Sequence, residues 1–403
     1  MKKRVLALAL TGVMSVGLLA GCGGTPAVES AAPAASGAPA AESSAPAAEG
    51  AVFKLGGTGP LTGDAAIYGM AAKQGAEIAV QELNAAGGAY QFELNYQDDV
   101  NDAEKAVNAY NTLKDWGMQL SLGSVTSKPA EATSAEFFAD RIFALTPSAS
   151  STAVTEGKDN VYQMCFADPN QGSASAQYIS DKALAAKVAV IWKNDDVYSK
   201  GIRDTFTSKA GELGLEIVSD TTFATGNDSD FNVQLTEAKN AGAELIFLPM
   251  YYTPASLILS QASAMGYAPK FFGVDGMDGI LTLEGFDTKL AEGVMLLTPF
   301  NADSTDDKTV AFVAAYKNAY GEVPNQFAAD AYDCVYAYAQ ALKQGECTPD
   351  MDAATLCEKL IGTFPFMSFD GLTGSGTTWD ATGAVSKSPK GMVITDGAYV
   401  GLD

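Results

Sequence analysis

Val52-Phe53-Lys54-Leu55 runs directly into Gly56-Gly57-Thr58-Gly59-Pro60, and the chain then continues from Tyr68 to Gly87-Gly88. The first four residues read as a strand, and the glycines with Pro60 read as its end. From Tyr68 to Ala86 apolar or small residues recur at helical spacing: Ala71, Ala72, Gly75, Ile78, Ala79 and Leu83. Gly87-Gly88 is a helix stop. This is one β-α unit, and the chain repeats it. Phe92 to Tyr96 alternates like a strand and Asp102 to Trp116 is helical. Short apolar runs follow between helical stretches: Leu120-Ser121-Leu122, Phe143-Ala144-Leu145, Val188-Ala189-Val190-Ile191, Leu245-Ile246-Phe247-Leu248 and Val294 to Leu297. Such repetition predicts an α/β protein with mainly parallel sheets flanked by helices on both faces. A length of 403 residues fits two sheets better than one. In open sheets of this kind ligands sit at the carboxyl ends of the strands, so the loops there are where function is to be sought.

Composition removes several functions. Acidic residues number 48 against 25 basic ones, a formal charge of −23. That charge repels nucleic acid and anionic lipid, so no nucleic-acid partner is expected. There is no histidine. Ser-His-Asp and Cys-His catalysis and every histidine-containing metal site are thereby excluded. No cofactor and no metal is expected. Hydrophobic content of 47% with 18% charged residues fits a globular chain.

The start of the chain has its own reading. Lys2, Lys3 and Arg4 precede a mostly apolar run of sixteen residues, Val5 to Ala20, too short for a comfortable membrane span. The run ends in Leu19-Ala20-Gly21-Cys22, which resembles the lipobox of bacterial lipoproteins. The resemblance implies a signal peptide over 1–21, lipidation of Cys22 and attachment to the bacterial cell membrane through that lipid alone. Residues 22–50, from Cys22 through a stretch almost entirely Ala, Pro, Ser, Gly and Glu, read as a flexible tether. Of the other cysteines, none forms a C-x-x-C pair, which speaks against a zinc site. Cys347 and Cys357 could be a disulfide or two buried thiols.

The strand-end loops resemble those of the leucine/isoleucine/valine-binding protein family, the type I periplasmic binding proteins that serve ABC importers. Gly59-Pro60-Leu61-Thr62-Gly63 with Tyr68-Gly69 looks like the family's opening. Asp98-Asp99, Gly123-Ser124 with Pro129-Ala130, Thr146-Pro147-Ser148-Ala149-Ser150 and Asp168-Pro169-Asn170-Gln171-Gly172 follow in the family's order. Asp195-Asp196-Val197-Tyr198, Gln261-Ala262, Gly266, Glu292-Gly293 and Ala331-Tyr332-Asp333 complete the series. The match covers nearly all of residues 51 to 403. It implies a two-lobed type I fold with three interlobe crossovers. Lobe I would take 51–168 and 299–375, and lobe II 169–298 and 376–403. It also implies a monomer that encloses an amino acid between its lobes and hands it to an ABC permease and its ATPase.

A zwitterion needs its two charges met separately. Carboxylate wants hydroxyls and backbone N–H groups at helix N-termini. The resemblance gives this task to the hydroxyls of Ser124 and Ser150 and to the backbone at Ser148, although serine at such places also simply caps helices. Ammonium wants a carboxylate. Asp275, in Phe271-Phe272-Gly273-Val274-Asp275-Gly276, stands where the family usually has glutamate, and Asp278 is its rival. Tyr68, Tyr198, Tyr251 and Phe327 match aromatic cleft positions, with Tyr252 one residue out of register from Tyr251. Asp168 matches a hinge carboxylate. Two departures stand out. The disulfide of the best-known members is absent, with Asn101 and Gly123 in its places, and Tyr68 replaces a tryptophan.

Rival functions find less support. No carboxylate pair is spaced for glycoside chemistry and G-x-S-x-G is missing, so no enzyme is expected. Asp228, Asp230 and Asn232 begin like an EF-hand, but Val233 replaces the required glycine. Gly57-Thr58-Gly59 hints at a dinucleotide loop, but Thr62 stands where the third glycine belongs. Within the same fold, a short amide, urea or an aromatic acid is the alternative ligand, and extracellular sensing the alternative role.

Overall fold

The computed structural model of the chain describes residues 52–402. The stretches expected to be signal peptide and tether, with Cys22 between them, lie outside these residues. Strand β1 (Phe53–Gly59) runs past the four residues read from sequence, because its glycines continue the ladder. β2 (Phe92–Asp98) pairs with it in parallel along its whole length, and β3 (Leu120–Ser124) pairs on its other side. The glycines are needed there for room. A Cβ on Gly57 would stand 2.6 Å from the Tyr96 ring. β4 (Phe143–Thr146) and β5 (Val161–Gln163) complete a parallel sheet of order β2-β1-β3-β4-β5. Helices α1 (Ala66–Ala85), α2 (Ala103–Trp116) and α3 (Ser127–Asp140) follow the first three strands.

After α4 (Asp168–Asp181) a second sheet begins with β6 (Lys187–Lys193), α5 (Val197–Leu213), β7 (Glu216–Phe223) and α6 (Asn232–Asn240). It continues with β8 (Leu245–Leu248), α7 (Tyr252–Ala264), β9 (Lys270–Gly273) and β10 (Met295–Thr298). The chain then returns to the first sheet as α8 (Asp307–Tyr320), α9 (Gln326–Gln344) and α10 (Ala353–Ile361). A last hairpin, β11 (Lys390–Thr395) and β12 (Ala398–Gly401), adds antiparallel to β10, giving the order β12-β11-β10-β9-β8-β6-β7. β1 lies between β2 and β3, and β6 between β7 and β8. Each sheet thus has a switch point that opens a crevice at its carboxyl edge.

Helix α9 lies along α1, and Gly75 makes the approach possible. A Cβ there would stand 2.0 Å from the carbonyl oxygen of Ala328. Phenols tie the polar edge of α1 to its neighbours. Tyr320 donates to Glu77 (2.9 Å), and Tyr332 and Tyr336 both donate to Glu82 (2.6 and 2.8 Å).

Three passages join the sheets: between β5 and α4, between β10 and α8, and before β11. The third is later than a boundary at 375 would place it. Residues 377–387 stay with the first sheet. Trp379 is buried against Phe364 and Phe369 and donates to the carbonyl of Gln163 (2.7 Å). Lys387 is held by Asp330 of α9 (2.6 Å). Cys165, Cys334, Cys347 and Cys357 are buried free thiols, so Cys347 and Cys357 are not bridged. Among the described residues no helix is long and apolar enough to cross a membrane.

Candidate functional site: the cleft between the sheets

The carboxyl edges of both sheets converge on one small cleft. The first sheet contributes Tyr68 from α1, the segment Val125-Thr126-Ser127, Ser148 after β4, and Phe327 from α9. The second contributes Tyr198 at the start of α5, Tyr251 just before α7, and Asp275-Gly276 after β9. Each sits beyond a strand end or at a helix start, where strand geometry stops dictating which way a side chain points. The sites expected at Tyr68, Ser148, Tyr198, Tyr251, Asp275 and Phe327 therefore meet here.

Asp275 is the charged centre. It is 4% exposed. Its Oδ1 accepts from the Tyr198 hydroxyl (2.5 Å) and from Gly276 N (2.8 Å). Its backbone is fixed as well: Gln171 Oε1 accepts from Asp275 N (3.3 Å), and Gln326 Nε2 donates to Asp275 O (3.0 Å). Burial raises its pKa to about 6, and the bonds from Tyr198 and Gly276 oppose that rise. No cationic side chain lines the cleft to pair with this carboxyl.

The walls are aromatic. The Tyr198 and Tyr251 rings stack at 5.0 Å. Tyr68 meets Tyr251, Tyr252 and Phe327 edge-on at 5.2, 4.9 and 4.7 Å. Its hydroxyl donates to Gly276 O (2.5 Å) and accepts from Tyr252 N (3.1 Å). One phenol of the first-sheet side therefore fastens two segments of the second. The space left is about 10 Å3, room for about one water. A larger occupant requires the two sides to part.

The first-sheet side carries the hydroxyls, in a pattern the sequence conveyed only partly. Ser124 lies behind the surface, bonded to Thr58 Oγ1 (2.7 Å) and Thr133 Oγ1 (3.1 Å). Thr126, the N-cap residue of α3, makes no side-chain cap bond, and its buried Oγ1 lacks a partner. Thr126 and Ser127 line the cleft at the positive end of that helix. In the sequence they stand just beyond Ser124, the serine that ends the strand and is the more conspicuous hydroxyl. The signal available was a hydroxyl at the N-cap and another at the first position of α3.

Asp168 and Ser150 sit behind the cleft rather than on its surface. Asp168 N donates to Ser150 O (2.9 Å), and the buried Ser150 hydroxyl is the polar group that faces the Asp168 carboxyl. Burial, together with the nearby charge of Asp275, pushes the Asp168 carboxyl well above its usual range. Asp278 is turned away, its Oδ2 accepting from Gln326 N (3.0 Å). Tyr252 also lies outside the cleft lining, holding Tyr68 from behind. Among the described residues no group of His, Cys, Asp or Glu is arranged to hold a metal ion.

A profile of the family described as periplasmic binding protein matches residues 52–396. The Leu/Ile/Val-binding protein homolog 1 of Brucella abortus is 29% identical over 309 residues, covering 74% of this chain and 81% of the relative. The leucine-, isoleucine-, valine-, threonine-, and alanine-binding protein of Pseudomonas aeruginosa is 26% identical, covering 75% and 81%. Among solved structures, the branched-chain amino acid transporter substrate binding protein LivJ of Streptococcus pneumoniae, in complex with isoleucine, aligns with a TM-score of 0.77 at 29% identity. It covers 87% of this chain and 99% of that one. A solute binding protein from R. palustris in complex with benzoate has the same fold, with a TM-score of 0.78 at 20% identity, covering 87% and 95%. The chain belongs to the periplasmic binding protein family, as the resemblance to leucine/isoleucine/valine-binding proteins implied.

Proposed function

We propose that this protein is the solute-binding component of an ABC importer and takes a neutral branched-chain or aliphatic amino acid into the cleft. The observation that carries this reading is the opposition across one aromatic-walled cleft of a buried carboxylate, Asp275, and the hydroxyl-bearing N-terminus of α3. Asp275 would hold the ammonium, and Thr126, Ser127 and Ser148 the carboxylate. Tyr68, Tyr198, Tyr251 and Phe327 would enclose the side chain. Ser124, Ser150 and Asp168 would support these groups from behind. The lobes would be the two sheets with their helices, closing by hinge motion at the three passages. Binding would involve no chemistry on the solute. We further propose lipidation at Cys22, a location outside the cytoplasmic membrane, action as a monomer, and delivery to a permease and its ATPase.

A second reading, an aromatic acid as ligand, is favoured by the stacked Tyr198 and Tyr251 and by the benzoate-bound neighbour. Such a ligand would leave Asp275 without a cation.

Calorimetric titration of residues 51–403, stripped of carried-over ligand by unfolding and refolding, separates the two. The panel holds the common L-amino acids, short amides, urea and aromatic acids. Aliphatic L-amino acids should bind, and Asp275→Ala should weaken them by about 2–5 kcal/mol, at least ~30-fold. Binding of an aromatic acid alone, indifferent to Asp275→Ala, would replace the amino-acid reading with the second one.

A further inference from the structure

Beside the cleft lies a much larger cavity, of about 580 Å3, within the range of small-molecule sites. Its walls come from both sheets. Ile67, Met70 and Gln74 of α1 face Leu281, Leu296 and Met392 of the second sheet's side. The lining is mostly apolar, with a few polar groups around it.

The charges are one-sided. Asp278 lines the cavity and is 6% exposed, while Asp303 and Glu322 are exposed lining residues. Lys317 is the single basic residue in the lining, and it too is exposed. Asp278 accepts from Gln326 N (3.0 Å) and is close to the Tyr399 hydroxyl, so its partners are neutral donors. Burial raises its pKa to about 6, with the Gln326 and Tyr399 bonds opposing. It is thus a buried acid in apolar surroundings whose described partners are neutral donors, an arrangement that a bound cation would stabilise.

We propose that this cavity is a second ligand site, binding a small primary amine with an apolar body, with Asp278 as the counter-charge. Apolar body and single amine follow from the lining: a mostly apolar surface, one buried acid, and acidic excess among the exposed lining residues. The proposal is separate from the cleft reading, because Asp275 and Asp278 belong to different cavities although only three residues apart.

Hexylamine, 1-hexanol and hexanoate share one apolar chain and differ in charge. Each is titrated calorimetrically into the full-length chain and into the Asp278→Asn, Leu281→Trp and Asp275→Ala variants, with thermal unfolding to confirm that each is folded. Asn keeps the oxygen that Gln326 N needs, and Trp fills the cavity. Hexylamine should bind once per chain, about tenfold or more tighter than the alcohol or the acid. Its affinity should fall about tenfold or more in Asp278→Asn and in Leu281→Trp and persist in Asp275→Ala. The proposal is overturned if folded wild-type chain does not bind hexylamine, or binds hexanol equally well. It is equally overturned if affinity survives in Asp278→Asn or Leu281→Trp, or is lost only in Asp275→Ala, which would move the amine to the cleft.

Discussion

The Tyr68 hydroxyl is buried, bonded at once to Gly276 O and to Tyr252 N, residues 208 and 184 positions away. Tyr68→Phe keeps the ring and removes both bonds, leaving the Tyr252 N–H unpaired. The loss should be about 1–3 kcal/mol of attachment between the two sides, read as about fivefold or greater weakening of solute binding in a titration. Unchanged affinity would show that closure does not depend on this contact. That Tyr68 was an aromatic of the cleft was legible from its place after Gly59-Pro60. Its bridging role was not, since it depends on which distant backbone groups the fold brings to the phenol. The choice between Asp275 and Asp278 was equally beyond the sequence. Asp275 opens a 3-10 turn, whereas Asp278 has left it, with extended backbone at φ −66° and ψ 129°. That change of direction sends the two carboxylates to different cavities.

Among the elements, the segment before β11 depends on one buried pair. Lys387 and Asp330 are 1% and 2% exposed, and the Lys387 ammonium also donates to Thr373 Oγ1. Thr373 in turn donates to Asp333 (2.6 Å). Burial outweighs the lysine in setting Asp330, whose pKa is raised to about 6. Lys387→Met leaves two acids buried without their cation and should destabilise the chain by about 3–5 kcal/mol in urea unfolding. Adding Asp330→Asn should recover part of that loss; a double variant no better than the single would mean the charge is not the cause. The strands and helices with clean periodicity, β1, β3, β4, α1, α2, β6, β8 and β10, were readable because pattern and burial agree, and β2 was readable from its alternating sequence alone. β5 and β12 were not, being short, and β7 alternates without a fully buried face. The late return of the chain to the second sheet was hidden because Trp379 and Lys387 find their partners only in three dimensions.

Over the whole molecule, buried acids set how stability varies with pH. Burial raises Asp99 to about 7, and Asp275, Asp278 and Asp330 to about 6, from an ordinary value of about 4. Between those values the folded chain binds more protons than the unfolded one. Stability should therefore fall as pH rises from about 4 to about 7 and level off above. The formal charge of −23 acts in the same direction through self-repulsion. Below about 4 the trend should reverse. There acids such as Asp306, lowered to about 2 chiefly by its bonds to Thr309, must be protonated. Scanning calorimetry should show a higher midpoint at pH 5 than at pH 8, with Asp99→Asn narrowing the gap. A midpoint higher at pH 8 in both proteins would contradict this account. Two sheets and their strand-end loops were legible in the sequence because the β-α unit repeats. The tightness of the cleft was not, because it depends on how closely the two sheets and their helices come to rest.

Cys165 leads into the first passage between the sheets and is 4% exposed. Burial foremost, then the nearby acids Asp330 and Asp275, raises the pKa of its thiol well above the usual value, against the opposing charge of Lys387. In the closed arrangement an alkylating reagent meets neither an accessible sulfur nor a thiolate. Under the proposed hinge motion, a thiol so placed is a native clock: its modification rate would count excursions that expose the passage, with no dye or inserted label required.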